Sequence, residues 1–436
     1  MDIAPFQSRR RRLIEQMKEG IAVIPTAPQR VRNRDSHYPY RADSYFQYLT
    51  GFTEPDAVLV LIAGAQPKSS LFCRQKDVER EIWDGFRWGP AAALEAFGFD
   101  EAHPVGQLDA ILPELLADQP TLHYTLGNDE NWDARISAAL NAVRAQARSG
   151  KRTPAEIRDV RVPIDEMRLI KDETELATMR RAAAISAAAH RRAMRFVVPG
   201  RNEYEVEAEL IHEFRRHGSQ APAYTSIVAG GANACVLHYV GNDRRLDDGD
   251  LVLIDAGCEL DGYASDITRV FPVGGRFSGP QADIYDLVLD AQHAAIAAIR
   301  PGASFMAPHE AAVTVLAGGM LDLKLLLGSV DSILETEAYK RFFMHRTSHW
   351  LGMDVHDVGE YKRGGQWREL EPGMVLTVEP GCYIRPADGV PPAFWNIGVR
   401  IEDDVVVSAD GCEMLTAAAP KSIADIEAWM RERDDD

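Results

Sequence analysis

Short apolar runs alternate with helix-periodic segments through the first third of the chain. Four runs of strand length, GIAVIP, AVLVLIAG, SSLFC and TLHYTLG, are bounded by turn-forming or polar residues, which favours β-strands. The segment NWDARISAALNAVRAQAR has the apolar spacing of a helix, and Asn131 at its start is the predicted N-cap. Alternating strands and helices predict an α/β layered domain.

A polar cluster, RSGKRTP, then interrupts this alternation. Because such clusters break regular structure, we place a linker near residues 148–170. The chain is long enough for more than one domain. We therefore predict an α/β N-terminal domain with its linker over residues 1–170 and a second domain over residues 171–436.

Two long helices should open the second domain. The first begins at Asp172 with Glu175 three residues later, and the second begins at Asn202 with Glu205 in the same relation. In such pairs the side chains satisfy backbone N–H groups that the first helical turn leaves free. Further along, another pair of helical segments follows, again separated by a Pro-Gly step. The second domain is therefore predicted to be α+β, with a repeated helical scheme.

The repetition extends to two apolar strands, LVLIDAGC and MVLTVEPGC. Four matching positions in each copy are separated by a constant offset of 124 residues, since 373 − 249 = 379 − 255 = 124: Gly249, Asp255, Gly257 and Cys258 match Gly373, Glu379, Gly381 and Cys382. We infer an internal duplication with a pseudo-twofold axis, which would bring the two acids close together. A carboxylate at a buried strand end is costly unless it is paired or binds a metal.

The composition argues against several kinds of binding partner and cellular location. The chain has 48 Lys and Arg residues against 66 Asp and Glu residues, a formal charge of −18, which argues against a nucleic-acid partner. The basic run from Arg9 to Arg12 is interpreted as a solvated helix face. No apolar segment follows it as in a signal peptide, and the apolar runs are too short to cross a membrane. Five cysteines without CxxC spacing do not form a disulfide framework, so we expect a cytoplasmic protein.

The segment DAGCELDGYASD is a candidate hairpin, with Asp261-Gly262 as its turn chemistry. If the turn centres between Leu260 and Asp261, then Asp255 and Asp266 lie opposite each other across the two strands. Two facing carboxylates repel unless a cation lies between them or one takes a proton. Asp255 also follows four apolar residues, which distinguishes it from the solvated aspartates that are common at hairpin ends.

The segment FFMHRTSHWLGMDVHDVG holds three histidines, His345, His349 and His356. The spacing of the first two would place them on one face of a helix, but Gly352 and the DVHD sequence indicate a loop or a short strand. Glu402 follows the alternating pattern of WNIGVRIEDD, and Arg400 precedes it by two and shares its face. These two residues form either a surface ion pair or part of an inward-facing site.

The candidate ligands are four carboxylates and one imidazole: Asp255, Asp266, His349, Glu379 and Glu402. This set is too acidic for a structural zinc site, which prefers thiolates and histidines. Oxygen-rich ligation with one nitrogen suits two divalent ions, with Mn²⁺ as the first choice. Two such ions can share a water that becomes hydroxide near neutral pH and attacks a polarised carbonyl. The residues alone therefore indicate a two-metal hydrolase.

The ordered set LIDAGCELDGYASDITR, MHRTSHWLGMDVHDVG, LTVEPGCYI and GVRIEDD resembles the pita-bread metallopeptidases, and among them the Xaa-Pro aminopeptidase (aminopeptidase P) family. The N-terminal stretch DSHYPYRADSYFQYLTGFTEPDAVLVL is similar to the N-terminal domain of that family. The resemblance covers nearly the whole chain. It implies an α/β N-terminal domain followed by a pita-bread (creatinase/aminopeptidase) catalytic domain with the internal pseudo-twofold duplication. Ser265 departs from the family pattern, which has glycine before the aspartate.

The resemblance also implies roles for individual residues. Asp255 would bind one metal, Asp266 and Glu402 would bridge both, and His349 and Glu379 would bind the other. Residues with catalytic roles near the scissile carbonyl would be His238, His345, His356, Glu379 and Arg400. Residues that contact substrate would be Trp83, Arg148, His238 and Tyr383. The two residues of the N-terminal domain, Trp83 in EIWDGF and Arg148 in QARSG, rest on a looser alignment, and core packing is an alternative for Trp83.

The implied activity is hydrolysis of the Xaa-Pro bond at the N-terminus of peptides by a hydroxide that bridges two metal ions. The resemblance implies Mn²⁺, with Co²⁺ or Zn²⁺ as other choices, peptide substrates with proline in the second position, and a homodimer or homotetramer. One alternative is an Xaa-Pro dipeptidase (prolidase), which shares the fold and the ligands. The alternative of another class is a non-catalytic pita-bread peptide-binding module, which would have lost metal ligands, whereas this chain keeps all five.

Overall fold

The structure, a computed structural model of the chain, describes residues 2–432. The chain forms two compact units, Met1–Arg168 and Leu169–Asp436, and each is described by itself. Among the helices of residues 2–432, none combines the length and the apolarity that a bilayer crossing requires.

The N-terminal unit alternates helices and strands. Its helices are α1 (Ala4–Met17), α2 (Ser44–Thr50), α3 (Val78–Asp84), α4 (Gly89–Phe97), α5 (Leu108–Leu116), α6 (Glu130–Arg144) and α7 (Arg161–Leu169), the last of which ends at the boundary between the units. Its strands are β1 (Gly20–Pro25), β2 (Val31–Asn33), β3 (Ser36–His37), β4 (Val58–Ala63), β5 (Lys68–Cys73), β6 (Glu101–Pro104), β7 (Thr121–His123) and β8 (Glu156–Arg158). The four predicted strands correspond to β1, β4, β5 and β7.

A six-stranded mixed sheet organises this unit, in the order β6-β5-β4-β1-β7-β8. The central strands β1 and β4 are almost entirely buried, as their continuous apolar runs require. Two details differ from the sequence-based predictions. The N-cap of α6 is Asp129 rather than Asn131, since the Asp129 carboxylate accepts the N–H groups of Asn131 and Trp132. The predicted linker at residues 148–170 is also structured, because β8 pairs with β7 and α7 follows it.

We predicted that the basic run on α1 is a solvated helix face, but only part of it is exposed. Arg9 and Arg10 are buried, whereas Arg11 and Arg12 are exposed. The Arg10 guanidinium donates to the carbonyl oxygen of Leu49 at 3.0 Å and to two further backbone carbonyls. Because planar guanidinium groups carry five donors, these arginines fasten α1 to backbone carbonyls instead of facing water.

The C-terminal unit holds the duplication. Its helices are α8 (Glu173–Phe196), α9 (Glu203–Arg216), α10 (Gly279–Ala297), α11 (Ala307–Asp322), α12 (Val330–Glu335) and α13 (Ile423–Arg431). Its strands are β9 (Ala221–Pro222), β10 (Ile227–Gly230), β11 (Leu251–Asp255), β12 (Cys258–Leu260), β13 (Tyr263–Ala264), β14 (Thr268–Pro272), β15 (Lys362–Arg363), β16 (Gln366–Trp367), β17 (Val375–Val378), β18 (Gly381–Ile384), β19 (Ile397–Arg400), β20 (Asp403–Val407) and β21 (Cys412–Met414).

The predicted helix starts are confirmed. The Asp172 side chain accepts the N–H of Glu175 at 2.9 Å, and the Glu175 carboxylate accepts the N–H of Asp172 at 3.0 Å, which completes a capping box on α8. At α9, the Glu205 carboxylate accepts the N–H of Asn202 at 2.7 Å. Both long helices therefore begin where their sequences specify.

The two halves of the C-terminal unit have matching strand pairs. In the first half β11 pairs antiparallel with β14, and in the second half β17 pairs antiparallel with β20. Strands β11 and β17 begin 124 residues apart, since 375 − 251 = 124, which is the offset predicted from sequence. The first residues of these strands, Leu251 and Val375, pair with Pro272 of β14 and Val406 of β20. The partner strands therefore correspond at an offset of 134 residues, because 406 − 272 = 134.

Residues related by the second offset touch each other. Thr268 Oγ1 donates to Glu402 Oε2 at 2.7 Å, and Arg269 Nη2 donates to Asp403 Oδ1 at 2.6 Å. Both pairs are 134 residues apart in sequence. Equivalent positions of two repeats can meet only where the symmetry axis passes. The pseudo-twofold axis therefore passes between the two members of each pair.

The register of the first hairpin differs from our prediction by two residues. The turn residues are Asp261 and Gly262, both with positive φ (52° and 87°), and Leu260 pairs with Tyr263. Asp255 therefore pairs with Thr268, not with Asp266. The Asp-Gly sequence fits positions i+1 and i+2 of this turn, so the turn centres one residue later than predicted.

Candidate metal centre and its cleft

Five carboxylate and imidazole side chains converge on one cleft of the C-terminal unit, with a volume of about 450 Å³. Asp255 ends β11, and Asp266 lies between β13 and β14. Glu379 directly follows β17, and Glu402 lies between β19 and β20. The cleft is lined by these predicted site residues: His238, Asp255, Asp266, His345, His349, His356, Glu379, Arg400 and Glu402. The ends of core strands thus deliver most of the acids.

Asp266, His349 and Glu402 form the tightest group, since each offers one ligand atom and these atoms lie within 4.8 Å of one another. His349 lies in a loop rather than on a helix, and its Nε2 is 3.5 Å from Asp266 Oδ2 and 3.8 Å from Glu379 Oε1. His349 Nδ1 lies 2.9 Å from the Trp350 carbonyl oxygen, which can only accept. Nδ1 therefore carries a proton, and Nε2 faces the carboxylates, to which it donates when the ring is protonated.

Asp255 is joined to this group by Tyr224. The Tyr224 hydroxyl lies 2.6 Å from Asp255 Oδ1 and 2.5 Å from Asp266 Oδ1. On the other side, Arg400 Nη2 donates to Asp255 Oδ2 at 2.5 Å. We did not predict Tyr224, because it lies in APAYTSI, where no motif precedes it and nothing local marks it.

Arg400 connects the acids of both halves. Its Nε donates to Thr268 Oγ1 at 3.0 Å, and Thr268 in turn donates to Glu402. Arg400 is 4% exposed and Glu402 is 2% exposed, so the interpretation of these two residues as a surface ion pair is wrong. The same-face, inward-facing alternative is correct.

The carboxylates of the cleft raise one another's proton affinity. Burial, followed by repulsion from Asp266, Glu379 and Asp255, raises the pKa of Glu402 well above its ordinary value. Burial is also the main cause that raises the pKa of Glu379 to about 7. Burial raises the pKa of Asp255, although Arg400 opposes this. The group therefore concentrates more negative charge than its own cations compensate.

The carboxylates also raise the proton affinity of the imidazole. Burial alone would lower the pKa of His349, but the hydrogen bond that it donates to Asp266 and the charge of Glu379 raise it to about 9. Burial would raise the pKa of Asp266, yet the bond and charge of His349 hold it below the ordinary value. The surrounding acids thus favour the protonated form of His349, which places a positive charge among them. Divalent cations supply the same compensation, and the donor set of four carboxylates and one imidazole fits them.

The remaining predicted histidines lie at the cleft in two different settings. His238 and His356 are exposed, and the rings of His349 and His356 are 4.4 Å apart. His345 Nδ1 donates to the Arg346 carbonyl, so its Nε2 accepts from the Tyr383 hydroxyl at 2.8 Å. Burial is the main cause that lowers the pKa of His345 to about 3. His345 is therefore a neutral acceptor, while His238 and His356 face solvent.

Three predicted substrate contacts lie elsewhere. Tyr383 is 2% exposed, and its hydroxyl accepts from Arg400 Nη1 at 3.2 Å, so it lies behind the cleft residues that it supports. Trp83 and Arg148 belong to the N-terminal unit. Trp83 is on α3 and is 84% exposed, which excludes the alternative of core packing within that unit.

Asp404 is a further buried acid that sequence reasoning missed. Its carboxylate accepts the backbone N–H of Asp266 at 3.1 Å and the hydroxyl of Ser265 at 2.9 Å. Burial raises the pKa of Asp404 well above its usual range, and Asp266 adds to this effect. The signal in the sequence is the second aspartate of EDD, which continues the alternating pattern of Arg400 and Glu402 by two residues.

Comparisons with known proteins define the class of the chain. Residues 177–409 match Metallopeptidase family M24, and residues 6–124 match Aminopeptidase P, N-terminal domain. The chain is 46% identical to the Xaa-Pro aminopeptidase of Escherichia coli (strain K12), over 98% of this chain and 97% of that protein. It is 36% identical to Xaa-Pro aminopeptidase 3 of Homo sapiens, over 93% of this chain and 80% of that protein.

Solved structures give the same result. The Pseudomonas aeruginosa aminopeptidase PepP superposes with a TM-score of 0.98 at 51% identity, over 99% of this chain and 98% of that one. A zinc-substituted E. coli aminopeptidase P in complex with product superposes with a TM-score of 0.97 at 45% identity over 100% of both chains. The fold and the site thus define a metal-dependent peptidase. The chain belongs to metallopeptidase family M24, and the predicted pita-bread fold with an aminopeptidase P-type N-terminal domain is confirmed.

Proposed function

We propose that the protein is a metallo-aminopeptidase that hydrolyses the Xaa-Pro bond at the N-terminus of peptides. The observation that carries this proposal is the set of five side chains, four acids and one imidazole, gathered in a cleft of about 450 Å³. The relatives at up to 46% identity along almost the full length, which are named Xaa-Pro aminopeptidases, support the choice of bond. The cleft volume is within the usual range for small-molecule and peptide-end sites.

The proposed ligands are Asp255, Asp266, His349, Glu379 and Glu402, which would hold two divalent ions. When bound, such ions supply an activated water near neutral pH and polarise the substrate carbonyl. Mn²⁺ is the proposed metal because the donor set is rich in carboxylate oxygen, with Co²⁺ and Zn²⁺ as other candidates. Tyr224 and Arg400 keep Asp255 in place, and the Trp350 carbonyl fixes the tautomer of His349.

The other residues of the cleft would bind and orient the peptide and move protons. Glu379 is half-buried and lines the cleft, where its carboxylate can pass a proton to the leaving prolyl nitrogen. His238 and His356 are exposed in the cleft and can donate to the substrate carbonyl oxygen as negative charge develops there. His345 and Tyr383 position Arg400 through their hydrogen-bond chain.

Proline in the second position of the substrate is accommodated by apolar side chains in the cleft: Ile227, Leu237, Val240 and Val355. The prolyl nitrogen has no N–H, so the enzyme must recognise the ring by shape and not by strand pairing. We propose that Trp83 and Arg148 contribute further contacts to the peptide. Trp83 is exposed and free of ring contacts within the described part of the N-terminal unit, as a substrate-facing side chain requires.

We also propose a homodimer or homotetramer. Helix α3 buries none of its side chains: Val78 and Ile82 are each more than 70% exposed, and Phe86 beside the helix is 62% exposed. A cluster of large apolar side chains on one short helix is typical of an interface. Multi-angle light scattering of the purified protein would show a multiple of 48.3 kDa, and a monomer at micromolar concentration would rule this proposal out.

A substrate panel tests the proposed function. The purified chain, loaded with Mn²⁺, should cleave Xaa-Pro-Yaa tripeptides and longer peptides with proline second, and should not cleave the matching Xaa-Ala-Yaa peptides. Metal analysis of the same sample should give two equivalents of divalent ion per chain. Activity confined to Xaa-Pro dipeptides would indicate a dipeptidase instead. Metal-loaded protein without any hydrolysis, but with peptide affinity, would indicate a peptide-binding module.

Replacing His238 with alanine should lower kcat about 10²-fold and leave the metal content unchanged. The physical reason is the loss of one donor to the developing oxyanion, which is the effect typical of removing such a group, while His238 is not among the ligands. Steady-state kinetics with metal analysis measures both quantities. His293→Ala, which removes an exposed histidine on α10, is the matched control. An unchanged kcat, or a variant without metal, would contradict this role.

A further inference from the structure

Ser265 directly precedes Asp266, and its side chain is fully buried. Both the N–H and the carbonyl group of Ser265 lie against the neighbouring strand segment. Its N–H donates to the Cys258 carbonyl at 3.1 Å, and a Cβ added to Gly257 would come within 1.7 Å of the Ser265 carbonyl oxygen. Gly257 of the LVLIDAGC sequence is therefore required by this close approach. Ser265 has little freedom, so its hydroxyl position is fixed.

The acceptor of that hydroxyl is Asp404. Among residues 2–432, the Asp404 carboxylate accepts only from Ser265 Oγ, at 2.9 Å, and from the backbone N–H of Asp266, at 3.1 Å to each oxygen. Asp404 is 1% exposed, so these two donors replace the water that its carboxylate would otherwise bind. Its own N–H donates to Thr416 Oγ1 at 3.1 Å, which fixes its strand as well.

This contact joins the two halves of the C-terminal unit beside the metal centre. Ser265 and Asp266 belong to the first half, and Asp404 lies on β20 of the second half, two residues after Glu402. Residues two apart along a strand share a face, so the segment that carries Glu402 also carries the group that holds the backbone of Asp266. The distance between these two ligand segments thus depends on the contact.

We propose that Ser265 and Asp404 form a positioning pair that holds Asp266 in register with Glu402 and thereby sets the affinity of the centre for divalent metal. Ser265 does not touch the ligand atoms and acts through Asp404 and the Asp266 backbone. The inference rests on the proposed metal centre and adds to it a determinant that a glycine at position 265 could not supply. Outer contacts of this kind change metal affinity about 10–100-fold when they are removed.

The test compares metal binding, not catalysis. Ser265→Ala should raise the dissociation constant for Mn²⁺, measured by competition with a chelator, by about tenfold, while kcat at saturating Mn²⁺ stays within about twofold of wild type, since all five ligands remain. Ser226→Ala is the matched control, because Ser226 is buried and its hydroxyl has no hydrogen-bond partner in the described part of the chain. The control should bind Mn²⁺ as wild type does.

Asp404→Asn should weaken Mn²⁺ binding as well, and the double variant should bind no more weakly than Asp404→Asn alone, because the two groups act as one pair. If Asp404→Asn does not fold, the comparison of Ser265→Ala with Ser226→Ala decides. Equal dissociation constants for Ser265→Ala and wild type would overturn the inference, even if the melting temperature fell. A wild-type protein that binds no divalent metal would instead defeat the proposed function itself.

Discussion

Replacing Glu402 with alanine will remove divalent metal from the protein and lower kcat/KM for an Xaa-Pro-Yaa peptide by about 10³-fold or more. Glu402 is one of the three groups whose ligand atoms lie within 4.8 Å of one another. A bound metal stabilises transition-state charge by several kcal/mol, and each 1.36 kcal/mol corresponds to a factor of ten in rate. Metal analysis and steady-state kinetics on the same preparation measure the two effects.

The metal-free Glu402→Ala protein should nevertheless remain folded. In the metal-free site Glu402 is a buried acid repelled by three others, so its removal relieves repulsion and leaves one donor, the Thr268 hydroxyl, without its acceptor. The melting temperature in the presence of a chelator should therefore stay close to that of wild type. Glu335→Ala removes an exposed glutamate of α12 and serves as the control. Full activity in Glu402→Ala would reject the ligand assignment.

Replacing Arg269 with methionine should lower the free energy of unfolding of the C-terminal unit by about 3–5 kcal/mol, the usual cost of removing one partner from a buried ion pair. Arg269 is fully buried and uses all five of its N–H donors. They reach the Asp403 carboxylate and four backbone carbonyl oxygens, those of Thr268, Glu402, Ala419 and Pro420. Methionine has similar length but none of these donors.

The loss of stability is expected because Arg269 compensates the buried negative charge of Asp403. Burial would raise the pKa of Asp403, but the charges of Arg269 and Lys421 hold it below its ordinary value, so the carboxylate is ionised. Without Arg269, the one cationic partner that this carboxylate keeps within residues 2–432 is Lys421, at 2.9 Å. Calorimetry should show a fall in the melting temperature of roughly 10 °C for a unit of this size. Arg300→Met, at an exposed arginine, is the control, and an equal shift in both variants would contradict the prediction.

Much of the candidate site was predictable because its residues follow regular elements. Asp255 is the last residue of a buried strand and Glu379 directly follows another, and the constant offset of 124 residues between the two acids indicates the duplication from the sequence alone. The helix starts at Asp172 and Asn202 were also predictable, because a capping pair is a local interaction that a short sequence fully specifies.

The sequence-based predictions were wrong where contacts between distant segments determine the structure. The pairing register of the hairpin differs from the prediction by two residues, because the turn centres between Asp261 and Gly262. The side chains of Asp255 and Asp266 instead meet through the hydroxyl of Tyr224, which is remote in sequence. Arg9 and Arg10 were expected in solvent, but backbone carbonyls of other segments accept their donors. No local pattern encodes such partners, so periodicity and spacing alone are insufficient to predict them.

The position of the pseudo-twofold axis constrains how this chain could have arisen from a repeated unit. In a dimer of two identical halves, a residue on the axis faces its own copy. Arginine at the position of Arg269 would then face arginine, and glutamate at the position of Glu402 would face glutamate. Fusion into one polypeptide permits the two copies to diverge independently, so Arg269 now meets Asp403 and Thr268 now meets Glu402. The opposite charges and the donor–acceptor match across this axis are thus available only to two halves whose sequences differ.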